Sequence, residues 1–364
     1  MNRRSFVKSA AALPAGLAVA TLPRLAASAW GDWRAYEVTT RVEVLFPKDV
    51  TRVWLPLPLA RDTDYQKSLG NGWTIDGGTA RVVRDAQSAT AILAAEWQPP
   101  PATPALQLVS RFATRDRALD LGKPQRAAPL TADEKRYWLH ASELIPTDGI
   151  VRETAHGIVK DVRGGEVARA RAIYEWIVEN TYRDPKTRGC GVGDIKALLE
   201  SRNLGGKCAD LNALFVGLAR SIGIPARDVY GVRVAKSAYG YRSLGLATDN
   251  ATRAQHCRAE FYSDAHGWVP VDPADVRKVV LEEQPGALLP LDDDRVRRAR
   301  ARLFGSWEMN WLAFNYASDV ALPGATGGKI GFFMYPQCET AEGRIDSLDP
   351  DNFRYQISAR EIAV

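Results

Sequence analysis

The sequence predicts an α+β protein in which an antiparallel β-sandwich precedes a domain of helices packed on an antiparallel sheet. Short alternating runs separated by turn-forming residues fill positions 34–115, with no helical period among them. From residue 131 the apolar spacing becomes that of helices, and short strands return after residue 225. Strands followed by helices and then by more strands are typical of folds in which the two kinds of element form separate layers.

Alternation of apolar and polar side chains indicates the strands of the first region. Four runs show it: residues 36–44, 50–59, 91–97 and 106–113. Gly-Asn-Gly at 70–72 and Asp-Gly-Gly at 76–78 predict turns between strands. Because regular short strands without helices are typical of sandwiches, we assign residues 30–125 to an N-terminal β-sandwich domain.

The second region begins with helices. Three are expected over residues 131–145, 150–161 and 166–182. The first starts with Thr131 and Glu134, the spacing of a capping box. A further helix opens at Cys208 and carries an apolar stripe of Leu211, Leu214, Phe215, Leu218 and Ala219. Gly223 and Pro225 predict its end.

Strands are expected again in the last part of the chain. They cover residues 229–234, 255–262 and 267–272, with closing strands at 332–335 and 353–357. A polar loop at 237–254 would border a cleft. The run of Asp and then Arg at 292–300 predicts a solvated helix whose charges match its dipole. We assign residues 126–364 to the second domain, including a C-terminal extension.

Residues 1–29 have the pattern of an export signal. Paired arginines at 3–4 begin a basic segment, a weakly apolar run follows, and Ala-Ser-Ala at 27–29 forms a cleavage site. The pair followed by Phe6 and Lys8 resembles the twin-arginine signal of bacteria. The apolar run is short and broken by proline, so no stable membrane anchor is expected. We predict a periplasmic or secreted protein whose partner during export is the twin-arginine translocase; a Sec signal or an uncleaved anchor is the alternative.

Charge and ligand spacing exclude several classes of function. The net charge is +5, but residues 1–29 contain four basic residues and no acidic one, so their removal leaves +1. A chain with so little net charge has no field to attract nucleic acid, and we expect no such partner. No CxxC or HxxxH spacing occurs. We therefore predict no metal site and no cofactor.

The chain has four cysteines, Cys190, Cys208, Cys257 and Cys338. An exported protein encounters an oxidising compartment. If Cys208 is kept free for chemistry, one disulfide and one buried thiol among the other three is the simplest expectation. Cys190, which lies between glycines, is the best candidate for one half, and the pairing is left open.

Cys208 has the sequence environment of a nucleophile. Gly205 and Gly206 precede it, and it opens a helix, whose N-terminal dipole favours a thiolate. A helix N-terminus and a neighbouring imidazolium can lower the pKa of a cysteine to roughly 3.5–7.5. The Cys208 N–H points to where an oxyanion would form, and Asn180 or Tyr182 is a candidate second donor.

His256 and Asp272 are predicted to meet across a hairpin. If the turn centres on Asp264, His256 lies directly opposite Asp272, and Tyr262 lies opposite His266. A carboxylate at that distance can fix the tautomer of the imidazole and leave its other nitrogen for a thiol. In this register Cys257, Ala259 and Phe261 point towards the core.

Four segments between residues 170 and 275 resemble the bacterial transglutaminase-like superfamily. They are Gly206-Lys207-Cys208 at a helix start, RSIGIPAR at 220–227, His256, and GWVPVDP at 267–273. The resemblance implies a papain-like core, with a nucleophile helix packed on an antiparallel sheet, and makes 126–364 a catalytic domain. It also implies Cys208 as nucleophile, His256 as general base and Asp272 as its orienting residue. Arg258 stands where the family often has an aromatic residue, and a positive charge in the cleft would favour an acidic substrate.

We therefore predict an exported cysteine peptidase or amidase that hydrolyses a peptide or isopeptide bond, with a substrate of the cell envelope, through an acyl-enzyme. Nucleophile, base and orienting carboxylate in that order are typical of thiol-based acyl transfer. Two alternatives stay open. One is a protein-glutamine transglutaminase, in which an amine replaces water as acceptor. The other is a non-catalytic binding module with the same fold.

Overall fold

The computed structural model describes residues 31–124 and 127–363. The predicted export signal and its cleavage site lie outside the described residues. Within the described part of the chain, no helix combines the length and the apolar character that a bilayer span needs.

Two antiparallel sheets form the sandwich. Its strands are β1 (Arg34–Val44), β2 (Thr51–Pro56), β3 (Gln66–Ile75), β4 (Thr79–Asp85), β5 (Thr90–Trp97) and β6 (Ala105–Thr114). The four predicted runs are confirmed as strands. The turn predicted at 70–72 is wrong, because these residues continue β3 and the ladder only shifts register between Ser68 and Gly70. A bulge in a strand accommodates glycine as readily as a turn does.

The middle of the chain is mainly helical. Its elements are β7 (Arg117–Ala118), α1 (Ala132–Leu139), α2 (Gly149–Val159), α3 (Glu166–Asn180), β8 (Tyr182–Arg183), α4 (Ile195–Ser201), β9 (Gly205–Gly206) and α5 (Cys208–Ser221). The capping box of Thr131 and Glu134 is confirmed. Helix α1 is shorter than predicted, because Ser142 and Ile145 pair through their backbones in a turn.

The rest of the chain alternates between the two layers. Its elements are β10 (Ala226–Arg233), β11 (Gln255–Ser263), β12 (Gly267–Val271), α6 (Pro273–Glu282), α7 (Asp294–Arg302), β13 (Ser306–Trp307), β14 (Trp311–Asn315), β15 (Ser318–Val320), β16 (Ile330–Phe332), β17 (Gln337–Thr340), β18 (Gly343–Ile345) and β19 (Phe353–Ile362). Helices α4 and α6 were not predicted, since each is short and its apolar face is narrow.

The C-terminal strands complete the sandwich. One sheet has the order β19-β1-β6-β3 and the other the order β18-β17-β2-β5-β4. The core between them contains Val42, Leu55, Trp97, Leu108 and Phe353. The sheets thus combine strands from both ends of the chain, and the domain boundaries at 29/30 and 125/126 stay predictions.

Helix α5 packs on the sheet β12-β11-β10-β14. Leu211, Leu214, Phe215 and Leu218 of α5 share one core with residues of β11 such as Cys257, Ala259 and Phe261. A second core, with Trp307, Trp311 and Val229, joins this sheet to Leu59 and Tyr65 of the sandwich region. The predicted α+β class, with a sandwich and a helix packed on an antiparallel sheet, is confirmed.

Candidate active site

Cys208 is the first residue of α5 and only 3% of its surface is exposed. The segment before it is held by the parallel pairing of β9 with β8. A Cβ at Gly205 would overlap the Tyr182 ring, so the backbone needs glycine to pass there. Among the described residues the Cys208 N–H has no hydrogen-bond partner. The sulfur therefore sits at a buried, positively polarised helix end whose first N–H is unpaired.

Asp210 locks the start of α5 to the preceding loop. Its carboxylate accepts hydrogen bonds from the backbone N–H groups of Val192 (3.0 Å), Gly193 (2.9 Å) and Lys207 (2.9 Å). A Cβ at Gly191 would overlap this carboxylate. Sequence reasoning missed Asp210, although an acidic residue at the third position of a helix is a known capping signal.

His256 and Asp272 are brought together as the sequence predicts. His256 Nε2 lies 2.7 Å from Asp272 Oδ2, and both side chains are buried. The other oxygen of Asp272 accepts from the Asp275 N–H (3.0 Å) and the Asn212 amide (3.2 Å). Asp272 thus caps α6 and holds the imidazole, which leaves Nδ1 as the nitrogen that can face a thiol.

The predicted register of the hairpin is wrong by two residues. Ala259 pairs with Val271, and Tyr262 pairs with Trp268 rather than His266. The turn runs through residues 264–266 because Gly267 takes the positive φ of 70° that ends it. A shift of two preserves the face of every side chain. Asp272, one residue beyond β12, therefore reaches His256 diagonally and not from directly opposite.

A second carboxylate faces the imidazole. Asp275 Oδ2 lies 3.4 Å from His256 Nε2. Arg233 binds both Asp275 oxygens, at 2.6 and 2.7 Å. Asp275 and Arg233 were not predicted, because one lies in the unpredicted α6 and the other at the end of β10. Their meeting depends on how these elements pack.

Arg258 is buried beside Asp272. Its exposed fraction is 1%, its Nε lies 3.6 Å from Asp272 Oδ2, and its guanidinium lies over the Trp311 ring. One N–H donates to the Glu308 carbonyl (2.9 Å). Burial is the main cause that lowers the Arg258 pKa to about 10. Arg258 also lines a small cavity together with Arg233 and Asp275, and its role towards an acidic substrate stays a prediction.

Asn180 and Tyr182 are both at the surface. The Asn180 amide donates to the Trp176 carbonyl one turn earlier in α3 (2.8 Å). The Tyr182 hydroxyl donates to Asn203 (2.6 Å) while its ring covers Gly205. Each group thus has another partner in this conformation, and its role as an oxyanion donor stays a prediction.

The electrostatics favour a thiolate and an imidazolium. Burial acts to lower the pKa of His256, but the carboxylates of Asp275 and Asp272 outweigh burial and the charge of Arg233 and raise it to about 9. Hydrogen bonds from the Cys190 and Cys257 thiols, and then the hydrogen bond and charge of His256, hold the pKa of Cys208 well below its usual value. Between these two pKa values the sulfur is ionised and the ring is protonated.

All four cysteines are free, so the expected disulfide is wrong. Cys338 lies in the sandwich core, whereas Cys190 and Cys257 lie in the same buried core as Cys208. Sequence spacing could not show this, because 18 residues separate Cys190 from Cys208 and 49 separate Cys208 from Cys257.

His256, Asp272 and Asp275 are the one group within residues 31–124 and 127–363 that is placed to hold a metal ion. Arg233 already binds both oxygens of Asp275, and Arg258 lies beside Asp272. These two guanidinium groups already neutralise the carboxylates that a metal cation would need. His256, Asp272 and Asp275 therefore fit an ion-pair network better than a metal site.

Comparisons with known proteins concern the family and the fold of this chain. Residues 152–273 match the transglutaminase-like superfamily. A Haemophilus influenzae protein described as uncharacterized is 33% identical over 349 residues, covering 91% of this chain and 92% of that protein. A Cytophaga hutchinsonii crystal structure, provisionally assigned as a cysteine protease, has a TM-score of 0.50 at 15% identity over 90% of this chain and 98% of its own. That likeness concerns the fold. The chain belongs to the transglutaminase-like superfamily, whose members are cysteine-dependent enzymes.

Proposed function

We propose that the protein is a cysteine peptidase or amidase that cleaves a peptide or isopeptide bond through an acyl-enzyme. The observation that carries the proposal is the buried His256–Asp272 pair at 2.7 Å, together with a Cys208 sulfur whose pKa is lowered. A nucleophile, a base and a third group that orients the base are the three parts that covalent acyl transfer needs. Substrate binding alone needs no ionised thiol.

Each residue has a chemical role in this proposal. The Cys208 thiolate attacks the carbonyl carbon, and the oxyanion forms against the unpaired Cys208 N–H at the start of α5. His256 then gives its proton to the leaving amine, forming the thioester. Neutral His256 takes a proton from water, which hydrolyses the thioester and releases the acid. Asp272 holds the ring in place throughout and stabilises its charged form.

A transglutaminase reaction would follow the same steps with a primary amine in place of water. The proposal favours water because hydrolysis needs no second binding site for an amine. The acceptor depends on how far the occupied cleft excludes water.

We also propose that the chain acts outside the cytoplasm after twin-arginine export, on a peptide or protein of the cell envelope. The paired arginines, the apolar run and the cleavage site at 27–29 support this. Replacing both Arg3 and Arg4 by lysine should leave the chain uncleaved inside the cell. Cell fractionation and N-terminal sequencing would test it, and unchanged processing would contradict the twin-arginine route.

The thiolate is tested by labelling with a fluorescent iodoacetamide at pH 6, where an ordinary cysteine is almost wholly protonated. We expect rapid labelling of the full chain, none in Cys208→Ala and slow labelling in His256→Ala. Cys338→Ala is the matched control, since that thiol lies in the sandwich core, and it should label like the unchanged protein. Equal labelling of Cys208→Ala would overturn the assignment of the nucleophile.

The acceptor is tested with peptide and isopeptide substrates in the presence of a fluorescent primary amine. Hydrolysis predicts release of free acid with no incorporation of amine. Incorporation that exceeds hydrolysis would replace the proposal by the transglutaminase reaction. A labelled thiolate that turns over no acyl substrate of either kind would favour the binding module.

A further inference from the structure

Cys190 lies between the nucleophile helix and the strand of the base. Its carbonyl accepts a hydrogen bond from the Ala209 N–H (2.9 Å), next to Cys208. Its sulfur donates to the carbonyl of Gln255 (3.2 Å), the residue before His256. Cys190 and Cys208 lie in the same buried core, and the neighbouring Cys190 thiol is among the causes that lower the pKa of Cys208. A reduced thiol is therefore placed within reach of the proposed nucleophile, and the acyl-transfer steps do not use it.

We propose that Cys190 is a resolving cysteine, which closes a reversible disulfide with Cys208 after a hydroperoxide has oxidised the Cys208 sulfur. The disulfide switches the site off and protects Cys208 from irreversible oxidation. The proposal shares with the proposed function only the ionised Cys208 sulfur, and it holds for whichever acyl acceptor the site uses.

The two steps balance with a hydroperoxide as the oxidant. The Cys208 thiolate attacks the outer oxygen of the hydroperoxide, whose O–O bond breaks, and sulfenic acid forms as the alkoxide or hydroxide takes a proton. The Cys190 sulfur then attacks the sulfenic sulfur. The S–O bond breaks, the thiol proton joins the departing hydroxide as water, and the S–S bond forms. A dithiol reductant then breaks the S–S bond by thiol–disulfide exchange, which returns both cysteines to thiols and oxidises the reductant to its own disulfide.

The two sulfurs differ as the sequence of steps requires. Hydrogen bonds and the imidazolium of His256 stabilise the anion at Cys208, so the hydroperoxide reacts there first. The hydrogen bond to the Cys208 sulfur and burial keep the pKa of Cys190 well above its usual value. Cys190 therefore stays protonated and unreactive until the sulfenic acid has formed beside it.

Cys257 also lies in the buried core with Cys208, but its backbone is held in a β-ladder. Cys257 lies within β11 and pairs with Tyr230 of β10. Its carbonyl is further held by the Asn212 amide (2.8 Å). An S–S bond is about 2.05 Å long, so the two sulfurs must come closer than non-bonded contact, and the cysteine in the less constrained segment is the better partner. Cys190 lies in the loop between β8 and α4, flanked by Gly189 and Gly191 and outside any β-ladder, and hydrogen bonds to Ala209 and Asp210 hold this loop against the start of α5.

The test uses the purified full chain and hydrogen peroxide, with mass spectrometry as the readout. We expect a loss of 2 Da, a crosslinked peptide pair containing Cys190 and Cys208, and full recovery of pH 6 labelling after dithiothreitol. Cys190→Ser, which keeps a hydroxyl donor at the site, should accumulate the sulfinic acid (+32 Da) and should not recover. Cys190→Ala should do the same, and circular dichroism verifies that both variants fold.

Cys257→Ser is the matched control and should form the same disulfide as the unchanged chain. A crosslink of Cys208 to Cys257, or sulfinic acid forming as fast in the unchanged chain as in Cys190→Ser, would overturn the proposal. Because the readout is mass, the two proposals can fail separately. If the disulfide forms but no acyl transfer occurs, the proposal for Cys190 stands and the proposed function fails. If acyl transfer occurs but no disulfide forms, the proposed function stands and the proposal for Cys190 fails.

Discussion

Strand β11 carries two buried ionic networks a few residues apart, and they differ in how completely their charges are compensated. At one end His256 meets two carboxylates, Asp272 and Asp275. Nearby on the same strand, Glu260 is bound between two arginines, with Arg227 Nε at 2.7 Å and Arg117 in direct contact. Every member of the second network is charged at any ordinary pH, because the arginines lower the Glu260 pKa against the effect of burial.

The difference distinguishes the network proposed to take part in catalysis from the network that stabilises the fold. The network of His256 holds a group that titrates near pH 9 beside a sulfur whose pKa is lowered, so protons move there under ordinary conditions. The network of Glu260 holds no such group and is covered by aromatic rings, with Arg227 lying over Trp268 and Tyr316. Buried charge alone therefore does not mark a reactive site in this protein. A titratable pair next to the proposed nucleophile is what distinguishes the candidate site.

The largest expected effect is on catalysis at Asp272. Asp272→Asn keeps an oxygen to cap α6 but removes the charge that holds the imidazolium. We expect kcat/KM for acyl transfer to fall by about 10³–10⁴. Thermal unfolding followed by circular dichroism should change little. Retention of more than a tenth of the activity would show that Asp272 does not orient the base.

The next effect concerns stability and not chemistry. Glu260→Gln leaves Arg227 buried without its carboxylate and Arg117 with only Asp64 at 3.4 Å, which should lower the free energy of unfolding by about 3–5 kcal/mol. The exposed pair of Lys196 and Glu200 offers the control, and Glu200→Gln should change it by less than about 0.5 kcal/mol. Denaturant titration measures both. Labelling of Cys208 at pH 6 in folded Glu260→Gln should stay normal. A loss of labelling would show that the network of Glu260 is coupled to the network of His256.

A smaller effect is expected on the pH profile at Asp275. The proposed active form needs protonated His256, so activity should fall as pH rises through about 9. The Asp275 carboxylate raises that pKa, so Asp275→Asn should move the alkaline limb to lower pH while the rate at pH 7 falls less than about tenfold. Rates measured between pH 5 and 10 would show it. An unchanged alkaline limb would show that Asp275 does not raise the pKa of His256.

The smallest effect concerns Asp228, whose carboxyl is buried near Arg220 without a hydrogen-bond partner among the described residues. Burial is the main cause that raises its pKa to about 7. The folded chain thus keeps a proton that the unfolded chain releases between about pH 4 and 7, and stability declines as pH rises through that window. Asp228→Asn should raise the free energy of unfolding at pH 8 by roughly 1–3 kcal/mol and by little at pH 4. Denaturant titration at both pH values would check this, and an equal change at both would contradict it.

Local sequence patterns were enough to predict the helix and the strands that carry the proposed triad. The helix at Cys208 was predicted from its apolar stripe and its glycine end, and the strands of His256 and Asp272 from alternation. The hairpin register was missed by two residues, because a turn centre cannot be read from alternation alone. The face of each side chain survived that error, since the period of a strand is two.

Residues close in the chain thus revealed the fold class and the three residues of the proposed triad, because helix and strand periods are written into neighbouring positions. The burial of Arg258, the second carboxylate of Asp275, the contact of Cys190 with Cys208 and the pairing of β19 with β1 came from packing alone. Each joins segments far apart in sequence, and such contacts form where apolar surfaces from distant elements are buried together. No local period records which distant partner a side chain will meet.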